Sequence, residues 1–222
     1  MHITDAKGAV GRIFLAMLLM VILTLSVVVN ALELIICRHG EAEQNTGGWY
    51  SSNPRHPSYI EAHLTSRGIR QVRQLGSDLK STGLTADNIC QVVASPLPRT
   101  CESARNVMDV LSVPEHTLII EPKLIESQVG DRESQQVAQY NDKDFWFPAN
   151  PESFNGETRE AIKTRMFDAV TAIYHKCRHQ SGYVLLFSHG APVYLLLERL
   201  TGTGERLPTG GCKRLTVTPA ML

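Results

Sequence analysis

The chain has 222 residues, which is enough for one domain with a full hydrophobic core. Its 22 lysines and arginines balance its 22 aspartates and glutamates, so no net charge draws it to nucleic acid or to an anionic membrane surface. Binding of an anion must therefore depend on a local cluster of basic residues, and we predict no nucleic-acid partner.

An uncharged apolar run covers residues 13–29 and follows two basic residues, Lys7 and Arg12. As a helix it would be roughly 26 Å long, close to the bilayer hydrocarbon core of about 30 Å. Residues 29–31 (Val-Asn-Ala) offer the small or short side chains that a signal peptidase reads. We predict that residues 1–31 form a signal peptide, cleaved after Ala31, or a signal anchor. The alternative is a buried core helix.

This segment predicts that the protein is exported (periplasmic or extracellular) or anchored to a membrane, with membrane contact through residues 1–31 and a functional domain over residues 32–222. The five cysteines are odd in number and widely spaced, so they predict no disulfide framework. Free thiols favour a reducing compartment. We give the apolar run more weight because buried thiols survive export more easily than a charge-free helix survives in water. No prediction of the oligomeric state follows.

Downstream of residue 31, strand-like and helix-like segments alternate. In chain order we predict a strand over residues 32–37, a helix over 65–80, a strand over 89–94, a helix over 99–111, a short strand over 117–120, a helix over 156–175, a strand over 183–187, a helix over 191–200 and an edge strand over 215–217. The side chains expected to face the core from three of the helices are Ile69, Val72, Leu75 and Leu79; Ala104, Val107, Met108 and Leu111; and Ile162, Met166, Val170 and Ile173. This alternation is typical of an α/β three-layer sandwich, in which helices cover both faces of a mostly parallel sheet.

Basic residues follow three of the predicted strands at the point where each strand ends. Arg38 and His39 follow the first strand, and Arg99 lies in the segment Ser-Pro-Leu-Pro-Arg-Thr after the second. His189 follows the strand over residues 183–187. Ligands of parallel sheets bind beyond the carboxyl ends of the strands, so we expect these side chains to share one rim. Two guanidiniums suit the oxygens of a phosphoryl group, a histidine can accept that group covalently, and the glycine after each histidine is interpreted as room for a ligand.

Three motifs in this order, RHGE, SPLPRT and FSHG, resemble those of the histidine phosphatase superfamily, in its phosphoglycerate mutase-like branch. The resemblance extends from residue 34 to about residue 200. It includes Asn45, where the pattern RHGE-x-x-x-N has its asparagine, a Leu-Thr-x-x-Gly-x-x-Gln segment over residues 64–71, and Gly-Glu-Thr at residues 156–158 followed by Arg165. The last motif has histidine-glycine, whereas the acid phosphatase and phytase branch has histidine-aspartate. The resemblance implies a fold of the phosphoglycerate mutase type.

The resemblance implies a phosphomonoester hydrolase that needs no metal and no organic cofactor. His39 would attack phosphorus and become phosphohistidine. Arg38, Arg99 and His189, the last as an imidazolium, would stabilise the transition-state charge. A leucine-x-glutamate element over residues 124–126 implies Glu126 as the acid that protonates the leaving oxygen. The implied phosphate-binding residues are Arg38, Asn45, Arg99, His189 and Gly190.

Departures from the family pattern favour a phosphatase over a mutase. Ala42 stands where the family usually has a hydroxyl residue. The Gly-x-x-Glu-Gly usual after the acid is missing, which leaves Asp131 and Glu133 as alternative acids. The residues by which the mutases bind phosphoglycerate do not occur in recognisable form. A mutase-type phosphotransferase and an inactive phospho-ligand-binding protein are the alternatives, and the expected partner is a phosphorylated small molecule or a phosphoprotein.

Two long loops, residues 46–63 and 140–156, are expected to cover the pocket. Some of their residues either line a substrate site or pin the loops to the body: Trp49, Tyr50, Arg55, Phe145, Trp146 and Phe147. His175 and His179 lie four residues apart on a predicted helix, but no third ligand is at hand, and basic residues at a helix C-terminus suit its dipole. We therefore predict no metal site.

Overall fold

A computed structural model describes residues 31–140, 144 and 146–222 of the chain, together with the separate positions 12, 15, 17 and 20. The strands are β1 (Leu32–Arg38), β2 (Ile89–Ala94), β3 (Leu118–Ile120), β4 (Tyr183–Ser188) and β5 (Cys212–Val217). The α-helices are α1 (Glu43–Gly47), α2 (Ser66–Ser81), α3 (Pro98–Leu111), α4 (Arg159–Cys177) and α5 (Gly190–Thr201).

The strands form one sheet in the order β3-β2-β4-β1-β5. The pairs β3-β2, β2-β4 and β4-β1 are parallel, and β5 runs antiparallel to β1 at the edge. Parallel neighbours need crossover connections, and the helices that supply them cover both faces of the sheet. The predicted three-layer α/β sandwich with a mostly parallel sheet is confirmed. Its strand order places the carboxyl ends of β2, β4 and β1 side by side.

Two clusters of apolar side chains fill the spaces on either side of the sheet. Successive residues of β1 belong to opposite clusters, since Leu34 and Ile36 face α4 and α5 while Ile35 and Cys37 face α2 and α3. This explains why the strand reads as a continuous apolar run. A strand buried on both faces has no solvent side on which a polar residue would be favoured.

The predicted inward faces of the helices are confirmed with one exception. The apolar stripes predicted within residues 99–111 and 156–175 are buried, as are three of the four apolar residues predicted for α2. Ile69 is 39% exposed, so that prediction was wrong. Gly68 lies on the buried face of α2, where a Cβ would come within 1.9 Å of the carbonyl oxygen of Glu41. This close approach turns the neighbouring Ile69 towards solvent.

Three elements differ from their predicted bounds. The long helix α4 begins at Arg159 rather than at residue 156, because the hydroxyl of Thr158 accepts the N–H of Ala161 and caps the helix there. β5 covers Cys212–Val217, a longer strand than predicted. The short helix α1 was not predicted, because a single turn is too short to show helical periodicity.

The fold brings together cysteines that are far apart in the sequence. All five thiols are free, but Cys37 on β1 lies directly opposite Cys212 on β5, and the thiol of Cys90 contacts that of Cys177. At the adjacent pair of positions, the N–H of Arg38 donates to the carbonyl of Gly211, which directly precedes β5, at 2.9 Å. Cys37 and Cys212 therefore form a non-hydrogen-bonded pair, the kind in which facing side chains are closest. Sequence spacing gave no sign of either pair.

Most of the predicted signal segment, residues 1–31, lies outside the described residues, as does Phe145. Of the positions described in that segment, Leu15, Met17 and Met20 are each more than half exposed. These three side chains do not contribute to the core. None of the helices formed by the described residues has the length and apolar character that a membrane span needs.

Candidate active site

The carboxyl ends of three neighbouring strands meet on one rim of the sheet. Arg38 is the last residue of β1, and His39 and His189 directly follow β1 and β4. Arg99 lies in the first turn of α3, shortly after the end of β2. The rings of His39 and His189 are 5.2 Å apart, between centroids. The structure therefore brings together the basic residues that the sequence predicted to share this rim.

His39 is buried, and its imidazole is oriented by its own backbone. Nδ1 lies 2.6 Å from the carbonyl oxygen of Gly40, which can only accept, so Nδ1 carries a proton and Nε2 keeps its lone pair. The backbone is fixed on two sides, since the N–H of His39 donates to Ser188 and its carbonyl accepts from Gly210. Burial and two nearby guanidiniums lower the pKa of His39 well below 6.5. The ring is therefore neutral at pH 7 and suited to act as a nucleophile.

Arg38 and Arg99 are fixed by contacts and both line the cavity in front of the histidines. Arg38 Nη1 donates to the carbonyl of Leu207 at 2.9 Å, and its guanidinium lies 5.1 Å from the ring centroid of Trp146. Arg99 is buried and its Nη2 donates to the carbonyl of Ser51 at 2.8 Å. The Nε of each arginine is buried and finds no hydrogen-bond acceptor among the described residues. Two guanidiniums in fixed positions suit the several oxygens of a phosphoryl dianion.

His189 is buried beside these guanidiniums. Its Nε2 lies 2.7 Å from Ser95 Oγ, a hydrogen bond, and its Nδ1 lies 3.6 Å from Oε2 of Glu126, beyond hydrogen-bond distance. Burial, followed by the charge of Arg99, lowers the pKa of His189 well below 6.5. This lowered pKa describes the site without a phosphoryl group, so the imidazolium expected in the transition state stays a prediction. A phosphoryl dianion bound beside it would raise that pKa.

Glu126 enters the site from the segment that follows β3. Its Oε2 lies 3.8 Å from Arg99 Nη2, and its Oε1 accepts the N–H of Ser127 at 2.9 Å. The side chain is 23% exposed, and its burial raises the pKa of Glu126 above 4.5 against the opposing effect of Arg99. Glu126, His39 and His189 each offer one carboxylate oxygen or ring nitrogen, and these three atoms lie within 4.8 Å of one another. A carboxyl group with a raised pKa at this place is suited to act as a general acid.

Arg165 and Glu157 hold the segment that carries Glu126. Arg165 Nη1 donates to the carbonyls of Lys123 and Ile125, both at 2.7 Å, and its Nη2 donates to the carbonyl of Glu126 at 3.2 Å. The guanidinium charge is balanced by Glu157, whose Oε1 lies 2.6 Å from Arg165 Nε. The Gly-Glu-Thr motif and its following arginine therefore position the candidate acid.

The two alternative acids lie elsewhere. Glu133 is buried, and its oxygens accept the N–H of Ser52 at 2.7 Å and the hydroxyl of Ser52 at 2.6 Å. Asp131 accepts a hydrogen bond from Asn155 Nδ2 at 2.9 Å. Neither carboxylate lines the cavity that Glu126 lines. The geometry therefore favours Glu126.

Asn45 and Gly190 both line the same cavity. The amide oxygen of Asn45 accepts the N–H of Ala42, the residue directly before α1, at 3.0 Å. A Cβ at Gly190 would lie 2.7 Å from the ring of Trp146, and one at Gly40 would lie 2.5 Å from a backbone carbonyl of α2. Protein groups thus occupy the position that a side chain at either glycine would take, so close packing also requires glycine at both positions.

The family profile of the histidine phosphatase superfamily (branch 1) matches residues 34–212. The chain belongs to this superfamily. It is 27% identical to the probable phosphoglycerate mutase GpmB of Proteus mirabilis over 178 residues, an alignment that covers 77% of this chain and 75% of that protein. It is 29% identical to the adenosylcobalamin/alpha-ribazole phosphatase of Salmonella typhimurium over 181 residues, an alignment that covers 76% of this chain and 79% of that protein.

Solved structures of the same fold include relatives of both kinds. A putative alpha-ribazole-5'-P phosphatase from Escherichia coli superposes with a TM-score of 0.64 at 24% identity, over 85% of this chain and 91% of that chain. The phosphoglycerate mutase from Bacillus anthracis superposes with a TM-score of 0.69 at 18% identity, over 85% of this chain and 88% of that chain. The resemblance drawn from the three motifs is confirmed, and this histidine phosphatase superfamily member is an enzyme of the phosphatase and phosphotransferase type.

The cavity of this histidine phosphatase has a volume of about 830 Å³. Among the loop residues singled out from the sequence, Trp49, Tyr50, Trp146 and Phe147 line the cavity and Arg55 does not. Residues that line it without having been predicted include Ser51, Ser52, Ser127, Gln128, Phe154 and Thr158. The only signal for Ser51 and Ser52 was their place in the 46–63 insert, directly after Tyr50.

The donor atoms of His39, Glu126 and His189 are close enough to one another to hold a metal ion. Arg38 and Arg99 place two positive charges beside them, which oppose a cation and favour an anion. The donor set fits a tetrahedral phosphoryl group better than a metal. His175 and His179 take part in no group of three potential metal ligands within the described part of the chain.

Proposed function

We propose that this protein is a phosphomonoesterase that works through a phosphohistidine on His39. The observation that carries the proposal is a neutral, oriented imidazole beside two fixed guanidiniums, with a partly buried carboxyl group in the same cavity. Asn45 and Gly190, which line this cavity, add neutral donors through an amide and through the N–H at the start of α5.

In the first step, Nε2 of His39 attacks phosphorus, the bond from phosphorus to the leaving oxygen breaks, and Glu126 gives its proton to that oxygen. Arg38, Arg99 and His189 bind the three remaining oxygens and stabilise their charge. In the second step, water attacks phosphorus and gives its proton to Glu126. The bond from phosphorus to nitrogen breaks, phosphate leaves, and His39 returns to its neutral form.

Similarity to the Salmonella phosphatase supports hydrolysis, and the named activities of the relatives support a phosphorylated small molecule as substrate. Similarity to two mutases makes a mutase-type phosphotransferase the second candidate. An inactive binding protein would be expected to lack one of the four basic residues of the rim, and all four are present and adjacent.

We also propose that residues 1–31 direct the protein to export or anchor it to a membrane. The support is the uncharged run over residues 13–29 with Lys7 and Arg12 before it. A reporter fused after Ala31 should be exported. Retention of the fusion in the cytosol would contradict this proposal without affecting the enzymatic one.

The enzymatic proposal is tested with purified protein and p-nitrophenyl phosphate in the presence of a chelator. We expect turnover that disappears in His39→Ala and persists in His179→Ala, an exposed histidine outside the cavity. Turnover that survives in His39→Ala would refute the nucleophile. No turnover by folded wild-type protein would favour the mutase, tested next with a bisphosphate primer.

A further inference from the structure

The cavity is much larger than the phosphoryl group that its inner end is built to bind. Its volume of about 830 Å³ is in the range of pockets that enclose drug-sized ligands. The catalytic groups occupy only the part next to the strand ends. The rest of the space must accommodate the leaving group, so its lining carries information on the substrate.

Most of that remaining lining is apolar. The 46–63 insert contributes Trp49, the 140–156 loop contributes Trp146 and Phe147, and the segment after Glu126 contributes Val129 and Val137. The apolar wall starts directly at the phosphate end, since the guanidinium of Arg38 lies over the ring of Trp146. A leaving group would therefore meet apolar surface within its first few atoms.

The charged residues of the outer cavity are already paired. Arg159 lies over the ring of Phe147 at 4.2 Å and 3.4 Å from a carboxylate oxygen of Glu198. Glu157 is bound to Arg165, and Glu160 lies 3.2 Å from Lys163.

Among the described lining residues, Arg159 is the one arginine away from the phosphoryl end, and Glu198 balances its charge, so no unpaired cation is left for a second anionic group. A carboxylate or a second phosphate would therefore lose its hydration without gaining a counter-charge, which is costly. This lining disfavours phosphoglycerate, bisphosphates and nucleoside diphosphates.

We propose that the substrate is the phosphomonoester of a large, uncharged and mostly apolar alcohol, whose apolar body lies between the 46–63 insert and residues 146–154. The proposal rests on the phosphomonoesterase function proposed above and adds the class of leaving group. It assigns specificity to Trp49, Val129, Val137 and Phe147, which line the cavity. Burial of the apolar body would supply binding energy that a small polar ester cannot.

A series of primary alkyl phosphates from ethyl to octyl tests this, at concentrations at which each ester is monomeric. The reacting bond and the acidity of the leaving alcohol hardly change along the series, so differences in kcat/KM report burial of the chain. Each fully buried methylene should raise kcat/KM about three- to fourfold, the equivalent of about 0.8 kcal/mol. With partial burial we expect at least a 30-fold rise from ethyl to octyl, which is about 1.8-fold for each of the six added methylenes and roughly two-fifths of the free energy of full burial.

Two variants of one wall residue provide the matched control. Val137→Asp places a charge on the apolar wall and should lower kcat/KM for octyl phosphate by about tenfold or more. Val137→Thr keeps the shape and should lower it only slightly. Both should keep the far-UV circular dichroism spectrum and the urea unfolding midpoint of the wild type, which shows that they fold.

The outcomes separate this inference from the function on which it rests. Hydrolysis that depends on His39 but stays flat along the series, or that is fastest with 3-phosphoglycerate, would overturn the inference and leave the phosphomonoesterase intact. Absence of His39-dependent hydrolysis with every ester would overturn both. A rise along the series that Val137→Asp abolishes would establish the apolar leaving-group site.

Discussion

Replacing Glu126 with glutamine should separate the two chemical roles of this carboxyl group. The substitution keeps the shape and leaves an oxygen that can accept the N–H of Ser127, now at 2.9 Å from Oε1. It removes the proton that a poor leaving group needs. An alkoxide is a poor leaving group and nitrophenolate is a good one, so the loss should depend strongly on the ester.

The size of the effect follows from the position of the group. General acid catalysis is worth about 10²–10⁴-fold, so kcat/KM for butyl phosphate should fall by about 10³-fold. For p-nitrophenyl phosphate it should fall less than about tenfold. Glu126 Oε2 lies 3.8 Å from Arg99 Nη2, so a phosphoryl group bound to Arg99 would lie beside an ionised carboxylate. Two like charges about 4 Å apart repel each other by about 4 kcal/mol at an effective dielectric constant of 20. The neutral variant should therefore bind inorganic phosphate at least as tightly as the wild type.

The assay compares kcat/KM for the two esters, because kcat/KM reports only the steps up to transfer of the phosphoryl group. With p-nitrophenyl phosphate, Glu126→Gln should show a burst of nitrophenolate followed by slow turnover, since water attack has lost its base. Equal losses of kcat/KM with both esters would refute the assignment of Glu126 as the acid. Weaker binding of phosphate by the variant would contradict the electrostatic argument.

Arg165→Gln should release the segment that carries the acid and lower kcat/KM for butyl phosphate far more than for p-nitrophenyl phosphate; equal losses would show a merely structural role. Burial lowers the pKa of His39 and His189 in the folded state. Below pH 6.5 the unfolded chain therefore binds protons that the folded protein does not, and the free energy of unfolding falls as the pH falls. Urea unfolding at pH 5, 6 and 7 should show stability rising with pH, and His189→Gln should reduce the slope by up to about 1 kcal/mol per pH unit; an unchanged slope would contradict this. Diamide should join Cys37 to Cys212, seen as a disulfide-linked peptide pair in mass spectrometry and absent in Cys212→Ser; two thiols that stay alkylatable after unfolding would refute the pairing.

The order of strands and helices and the basic rim were predictable because each depends on local sequence. A buried parallel strand must be apolar throughout, so its sequence identifies it. The rule that ligands bind beyond the carboxyl ends of the strands predicted that Arg38, Arg99 and His189 lie close together. The long helices α3 and α4 repeat their apolar residues often enough to define a face. Ile69 was misplaced because the orientation of α2 depends on the close approach of Gly68 to another segment, a contact that periodicity does not encode.

Other features of the site depend on contacts between distant segments. Nothing near His189 in the sequence indicated that burial and Arg99 would keep its ring neutral. The role of Arg165 in positioning Glu126 could not be predicted, because it depends on the contact of α4 with the segment after β3. The cysteine pair Cys37–Cys212 needed the register of β5 against β1.

The most direct test of the central claim is to trap the phosphoenzyme. Glu126→Gln is mixed with radiolabelled p-nitrophenyl phosphate and quenched in alkali within the burst phase. The account predicts a label that approaches one per active site, survives alkali, is lost in acid, and maps to the peptide that carries His39. Turnover without any bound label, or a label on another residue, would contradict phosphohistidine chemistry at His39.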